Sequence, residues 1–274
     1  MGGNGKKVVD GSGDETLTSG VGIQAEIAVR VWRLRSALFS APAIVLLTIV
    51  MATGSLICSP FDKTGKIQHW WARQWSRMLL AVSFCRCKVF GAEKLKPDTP
   101  YVIASNHASY ADTPVVLATL PVEIRCFAKK GLFSIPFLGW HLARAGHLPV
   151  ARGDARAGLK SMMDGARMIR ERKLSVILFP EGGRSEHSLR PFIEGAAFMA
   201  IKAGIPIVPV GLVNTRKVLP MHSALLRPGT IEVHIGDPIE TSSMSPKDRG
   251  MLNQMLQERV AEMIGEPVPV GSVN

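Results

Sequence analysis

The sequence predicts an α/β fold, a mixed sheet flanked by helices, with an N-terminal membrane-associated helical segment. From about residue 85, short apolar runs alternate with amphipathic stretches, which is typical of a sheet covered by helices. No charged residue occurs between Ser36 and Pro60, and this run exceeds the roughly 20 apolar residues that cross a bilayer core. The 274 residues are enough for one such domain with appendages.

Five apolar runs predict the strands: residues 101–105, 123–128, 174–179, 205–211 and 231–235. Three further stretches predict helices: residues 154–173, 195–203 and 246–264. In the first helix, Leu159, Met162 and Ile169 share one face at helical spacing. Pro206 and Pro209 interrupt the fourth strand, which therefore requires an edge position or a bulge.

The chain before residue 85 is expected to associate with a membrane. Residues 1–20, rich in Gly, Ser and charge, predict a disordered tail, and residues 21–84 predict membrane-associated helices. The second of these helices, over 70–82, places Arg73 and Arg77 away from its apolar face and towards lipid headgroups. Tryptophans at positions 32, 70, 71 and 75 bracket the charge-free run, and only Trp140 lies elsewhere.

Basic residues flank the charge-free run on both sides, so the positive-inside rule gives no orientation. The run could span the bilayer or belong to a helical hairpin that dips into one leaflet, and two buried core helices are the remaining alternative. The main domain is then expected over residues 85–265, with a loose C-terminal tail over 266–274.

The charge balance points to anionic surroundings. Net charge is +11, and 46% of the residues are hydrophobic. A nucleic acid, an acidic lipid headgroup or a phosphorylated substrate would each satisfy this charge. With only two tyrosines and no basic–aromatic repeat, we expect no nucleic-acid partner. The four cysteines form no C-x-x-C pair and have no His at ligand spacing, so we expect no metal.

A histidine and an aspartate bound the connection between the first predicted strand and the next helix. His107 follows the strand over 101–105, and Asp112 opens the sequence Asp-Thr-Pro, in which Asp or Thr can cap a helix. Across a turn these two side chains can meet, and a carboxylate on one imidazole nitrogen leaves the other to take a proton. No G-x-S-x-G elbow is present, so the pair suits direct attack by a substrate hydroxyl.

A second group of candidates follows the strand over 174–179. Gly182 and Gly183 allow a phosphate to approach the backbone closely, and Arg184 supplies a forked donor. Glu181 could orient Arg184 or bind a substrate hydroxyl. The basic stretch after Arg125 adds Lys129 and Arg152, the latter placed just before a helix start. The apolar residues 132–138 are expected in the core or along an acyl chain.

Four motifs together resemble the glycerolipid acyltransferase family. NHASYAD is similar to its N-H-x-x-x-x-D motif, LPVAR to its arginine-bearing second motif, FPEGGRS to F-P-E-G-T-R-S, and IPIVPV to its fourth motif. The resemblance covers residues 85–236 and is greatest to bacterial 1-acyl-sn-glycerol-3-phosphate acyltransferases. One departure is Gly183, which stands where the family usually has Thr.

The resemblance implies transfer of a fatty acyl group to the sn-2 hydroxyl of lysophosphatidic acid, giving phosphatidic acid in phospholipid biosynthesis. His107 would be the general base, with Asp112 as its partner. The substrate-binding residues would be Lys129, Arg152, Glu181, Gly182, Gly183 and Arg184. Acyl-CoA or acyl-acyl carrier protein would be the donor, with no cofactor and no metal. The location implied is the cytoplasmic face of the cell inner membrane.

Two alternatives stay open. The missing hydroxyl at Gly183 allows a different lysolipid acceptor, such as a lyso-ornithine lipid or another lysophospholipid. The other alternative is a non-catalytic protein that binds anionic membranes through its basic surface.

Overall fold

The computed structural model describes residues 27, 29–150, 155–223 and 225–269. The predicted tail over 1–20 and the candidate Arg152 lie outside the described residues. The strands are β1 Cys85–Phe90, β2 Val102–Ser105, β3 Ile124–Lys129, β4 Leu148–Val150, β5 Ser175–Leu178, β6 Ile207–Val213 and β7 Gly229–Ile235. The helices are α1 Ala41–Cys58, α2 Lys66–Val82, α3 Asp112–Thr119, α4 Leu138–Arg144, α5 Ala155–Arg172, α6 Gly195–Ala203, α7 Thr215–Val218 and α8 Arg249–Ile264.

The seven strands form one mixed sheet in the order β1-β7-β6-β2-β5-β3-β4, which confirms the predicted fold class. Only β6 and β7 pair antiparallel, and every other neighbouring pair is parallel. The two strands that the sequence reasoning missed, β1 and β4, lie at the edges. β1 alternates apolar residues with Arg86 and Lys88, and β4 has three residues with Pro149 at its centre, so neither shows a continuous apolar run.

Alternate strand residues point into two separate cores. Ile103 and Ile177 face the layer that contains α2 and α3. Val102 and Val176 face the layer of α5, α6 and α8, where Met199 is fully buried. The fold is therefore three layers deep, with the sheet in the middle, because strands buried on both faces need helices on both sides.

The fourth predicted strand, β6, lies inside the sheet, so the edge alternative for its prolines is wrong, and the irregular pairing beside them places the extra residue in the segment after β7. Val210 opposes Ile235, whereas Ile207 opposes Ile239. Three residue intervals in β6, from 207 to 210, therefore lie opposite four intervals in the paired segment, from 235 to 239. Pro209 lies within this irregular stretch, where its missing N–H is tolerated.

The two N-terminal helices pack side by side in opposite directions. The Ser40 hydroxyl near the start of α1 donates to the Val82 carbonyl at the end of α2, at 2.8 Å. Trp75 of α2 donates its indole N–H to Thr48 of α1, at 3.0 Å. Val29–Phe61, which includes α1, is the one helical stretch among the described residues that is long and apolar enough to cross a membrane.

The expectation that Arg73 faces lipid headgroups is wrong. Its guanidinium donates to the carbonyls of Leu117, Leu120 and Val122, at 3.3, 2.5 and 3.0 Å respectively. The end of α3 leaves carbonyls without helical partners, and the planar guanidinium satisfies several of them at once. Helix α2 is therefore fixed to the domain through its basic face.

The start of the predicted loose C-terminal tail is anchored, so that prediction fails for residues 266–269. Glu266 accepts the backbone N–H of Leu189 at 2.5 Å and pairs with Arg216 at 3.2 Å. Gln257 of α8 donates to the Pro269 carbonyl at 3.4 Å. A carboxylate that accepts from both a backbone N–H and a guanidinium ties this segment to the rest of the domain.

Candidate active site

The candidate residues gather at one edge of the sheet. β2, β3 and β5 are parallel neighbours, so their carboxyl ends lie together. Asn106 and His107 follow β2, Lys129 ends β3, and the loop from Phe179 to Arg184 follows β5. Ligands of open α/β sheets bind at this edge, as the sequence reasoning assumed.

The backbone that carries His107 is fixed on several sides. The Asn106 side chain pairs with both backbone groups of Leu212 in β6, at 3.0 and 2.8 Å, in place of a further ladder step. The His107 N–H donates to Glu181 at 2.5 Å, and its carbonyl accepts from the Ser185 N–H at 2.8 Å. Its ring stacks on Phe179, with centroids 4.1 Å apart.

The structure brings His107 and Asp112 into contact. Nδ1 of His107 lies 2.8 Å from Oδ2 of Asp112, whose side chain is completely buried. The same oxygen accepts the N–H groups of Ala108 and Ser109, each at 2.8 Å. Asp112 opens α3 as predicted, but it makes no capping bond to that helix because its carboxylate reaches back to the preceding loop.

This arrangement determines what the imidazole can do. A carboxylate on Nδ1 holds the proton there, so Nε2 is the basic nitrogen. His107 lines the large cavity described below, and no side chain or backbone group of the described residues hydrogen-bonds Nε2. The imidazole can therefore take a proton from a hydroxyl that enters the cavity.

The loop after β5 brings two glycines and an arginine to the same cavity. Gly182 has φ +68°, a left-handed conformation that suits glycine, and its N–H bonds the Phe179 carbonyl at 3.1 Å. The Arg184 guanidinium lies over the Tyr110 ring, 3.4 Å from its centroid. No carboxylate of the described residues pairs with Arg184 or with Lys129, so both cations are available to an anion.

Glu181 is placed differently from the prediction. It is buried, does not line the cavity and does not contact Arg184. One of its oxygens accepts from His107 and the other accepts the Arg190 N–H at 2.9 Å. Burial raises the pKa of its carboxyl to about 7. The two N–H groups act in the opposite direction and lower this pKa, but burial has the larger effect. In the structure Glu181 therefore ties the His107 loop to the loop after β5.

One cavity of about 1280 Å³ contacts His107, Lys129 and Arg184. Its lining is mainly apolar and extends from α1 and α2, at Met51, Trp71 and Trp75, to the ends of the strands. The candidates that line it are His107, Lys129, Gly182, Gly183 and Arg184. A cavity of this size exceeds the roughly 300–1,000 Å³ of ordinary ligand sites, and its apolar walls suit a long hydrocarbon chain.

Sequence reasoning missed several residues that hold the site together. Tyr110, in the motif of His107, supports Arg184, and Phe179, in the motif of Arg184, supports His107, so each motif supports the other. Arg216 donates to the carbonyls of Ser185 and His187, at 3.3 and 2.9 Å, and so fixes the loop that carries Arg184. No local pattern marks Arg216, because its partners are some 30 residues away in the chain.

A histidine nitrogen facing an apolar cavity, with two unpaired cations beside it, is an arrangement that suits acyl transfer to a hydroxyl. Residues 86–213, a little under half of the chain, match the Acyltransferase family. It is 34% identical to the chloroplastic 1-acyl-sn-glycerol-3-phosphate acyltransferase BAT2 of Brassica napus, over 71% of this chain and 57% of the relative. It is 28% identical to a 1-acyl-sn-glycerol-3-phosphate acyltransferase of Pseudomonas aeruginosa, over 73% of this chain and 77% of the relative.

The fold also matches a solved structure. The crystal structure of the 1-acyl-sn-glycerophosphate (LPA) acyltransferase PlsC from Thermotoga maritima superimposes with a TM-score of 0.74 at 20% identity, covering 85% of this chain and 96% of that one. At this identity the match establishes the fold alone. The chain spans a little over half the length of the curated plant relatives it matches.

Proposed function

We propose that this protein transfers a fatty acyl group from acyl-CoA or acyl-acyl carrier protein to the sn-2 hydroxyl of 1-acyl-sn-glycerol-3-phosphate, giving phosphatidic acid. The observation that carries the proposal is the His107 imidazole, held by Asp112 with Nε2 open to an apolar cavity beside Arg184. The names of the relatives support the same acceptor.

In the proposed mechanism, Nε2 of His107 removes the proton of the acceptor hydroxyl as its oxygen attacks the thioester carbonyl carbon. The carbon–sulfur bond of the resulting tetrahedral intermediate then breaks, and the imidazolium returns its proton to the departing thiolate. Asp112 stabilises the imidazolium through the Nδ1–H bond throughout. No cofactor and no metal takes part in this sequence of steps.

The acceptor phosphate would bind beside the two glycines. Stacking on Tyr110 leaves the N–H edge of the Arg184 guanidinium free for two parallel bonds to phosphate oxygens. Lys129 adds a second positive charge at the end of β3. Arg152, two residues after β4 in the sequence, is proposed as a further phosphate ligand.

The proposed location is the cytoplasmic face of the inner membrane, with the α1–α2 hairpin in contact with lipid. Its support is the long apolar helix over Val29–Phe61, most of whose large side chains are exposed. The net charge of +11 favours an anionic lipid surface.

A second candidate function is acylation of a different lysolipid. Gly183 lines the cavity and has no side chain to contact a headgroup, whereas the family usually places a threonine hydroxyl there. A headgroup larger than phosphate, such as that of a lyso-ornithine lipid, would have room at this position.

The test is a free-thiol release assay with acyl-CoA and a panel of lysolipids presented in detergent micelles. His107→Ala should abolish thiol release with every acceptor while the melting temperature stays near that of the wild type. His234→Ala is the matched control, because His234 lies on β7 away from the cavity and should leave the rate unchanged. Normal activity of His107→Ala would refute the mechanism, and a preference for another lysolipid over lysophosphatidic acid would favour the second candidate.

A further inference from the structure

The connection between β3 and β4 exposes apolar side chains that a soluble domain would bury. It comprises a tight turn over Lys130–Ser134 and helix α4. The exposed fractions are 37% for Leu132, 44% for Ile135, 41% for Phe137 and 56% for Trp140. From the sequence, the apolar residues 132–138 among them were expected in the core or along an acyl chain. Leu132 and Leu138 do line the cavity, but the core expectation is wrong for the exposed Leu132, Ile135 and Phe137.

The backbone of this connection has a close approach and an unusual conformation. A Cβ on Gly139 would lie 2.1 Å from the Phe133 carbonyl oxygen, so helix α4 is in direct contact with the turn. Phe137 has φ +63°, which is uncommon for an aromatic residue and costs on the order of 1–3 kcal/mol. Its ring packs on Trp140, with centroids 5.5 Å apart. A strained backbone conformation therefore accompanies two aromatic rings at the surface.

The sequence around these side chains carries charge of one sign. From Ile124 to Gly153 the sequence contains no Asp or Glu and five Lys or Arg. Lys129 and Lys130 precede the exposed rings, and Arg144 follows them, and all three are exposed. Exposed apolar side chains bordered by basic residues are the composition of segments that enter the headgroup layer of anionic bilayers.

The segment is also continuous with the long apolar helix. His141 of α4 bonds Ser55 of α1 at 2.8 Å, so the two helices touch. At that end of α1, Ile57 and Phe61 are 67% and 85% exposed. Two elements with exposed apolar side chains, far apart in sequence, therefore pack against each other.

We propose that the segment Lys130–Trp140 is a second membrane contact, which inserts its exposed apolar side chains into an anionic phospholipid bilayer beside α1. Trp140, the one tryptophan outside the N-terminal group, then lies at the same interface as the others. Since Lys129, Leu132 and Leu138 line the cavity, the insertion places that side of the cavity against lipid. The insertion itself does not depend on the proposed chemistry.

The experiment measures the depth of a single labelled residue in the full chain bound to vesicles. Cys58→Ser and Cys87→Ser remove the two half-buried thiols. Burial raises the pKa of Cys85 to about 11 and that of Cys126 to about 12, so these thiols react slowly at neutral pH. A fluorophore is then attached at Phe137→Cys or, as the matched control, at Met251→Cys, an exposed apolar position on α8.

In vesicles of phosphatidylethanolamine and phosphatidylglycerol, nitroxide-labelled lipids should quench position 137 roughly fivefold more strongly than position 251, because interfacial segments lie about 5–10 Å into the headgroup boundary. Lys130→Gln with Arg144→Gln should reduce this quenching in anionic vesicles and leave it unchanged in phosphatidylcholine. Equal quenching at the two positions would overturn the proposal.

Protection of position 137 from aqueous iodide without any lipid quenching would also overturn the proposal, because it would indicate a second copy of the chain on this surface. Thiol release in detergent micelles is measured in parallel on the same variants. Its absence in the wild type would refute the proposed function and leave the insertion result intact.

Discussion

Replacement of Asp112 by Asn tests the electrostatic part of the mechanism with little change of shape. The amide oxygen can still accept from Ala108, Ser109 and the Nδ1–H of His107, so the loop keeps its three bonds. The negative charge is lost. For charges about 4 Å apart, an attraction of about 4 kcal/mol at an effective dielectric constant near 20 is removed from the imidazolium. We therefore expect kcat to fall about 10³-fold.

The same substitution should have a small cost in stability. The second carboxylate oxygen, Oδ1, is buried with no hydrogen-bond partner among the described residues, and the new amide N–H₂ would occupy its place. An unsatisfied donor costs about 1–3 kcal/mol, so the melting temperature should drop by roughly 2–12 °C without loss of the fold.

The assay is thiol release at saturating acyl-CoA with varied lysophosphatidic acid, together with a melting curve in detergent. KM for the acceptor should stay within about twofold, since the lost interaction is made only as the imidazolium forms. Asp164→Asn is the control, because Asp164 is a partly exposed carboxylate on α5 paired with Arg167 and does not line the active-site cavity. A kcat for Asp112→Asn within tenfold of the wild type, or a loss confined to KM, would refute the reasoning.

Three further predictions concern neighbouring features. For Glu181, the folded-state pKa of about 7 exceeds the ordinary 4.5, so the folded state binds the proton more tightly and stability should fall by about 3 kcal/mol as pH rises through this window. Glu181→Gln cannot ionise, and melting curves at pH 5 and pH 8 should therefore show a shallower pH dependence than the wild type; equal slopes would contradict this. Arg184→Ala should raise KM for a phosphorylated acceptor by roughly tenfold or more with kcat nearly unchanged, and a fall in kcat alone would exclude a phosphate-binding role. Gly139→Ala should lower the melting temperature by several degrees through its collision with the Phe133 carbonyl, at a cost of roughly 1–3 kcal/mol, and an unchanged melting curve would show that the turn is not rigid.

Sequence-based prediction was most successful where the local residue pattern matches the position of the element in the fold. Apolar runs made β2, β5 and β6 predictable, because strands buried on both faces need such runs. The contact between His107 and Asp112 was predictable from a strand end, a helix start and the short turn between them. The helix over Gly195–Ala203 coincides with its prediction.

What could not be predicted depends on contacts between distant residues. Glu181 was assigned to the substrate, because a carboxylate in a glycine loop gives no sign that two backbone N–H groups will occupy it. Arg73 was assigned to headgroups for a similar reason, since its carbonyl partners lie more than 40 residues away. The apolar residues 132–138 were expected in the core or along an acyl chain, because their composition does not show whether they are exposed. Exposure depends on how the rest of the chain packs around them.

Glu266 bears on where the working unit of this protein ends. The segment that matches the family stops at residue 213, yet the loop that carries Arg184 is held by Arg216 and, through Leu189, by Glu266. A fragment cut at the limit of the recognisable similarity would retain every motif and lose both of these supports. The smallest piece able to hold an ordered site must therefore extend past the last helix, and fusion partners attached at the C-terminus need a spacer that leaves Glu266 in place.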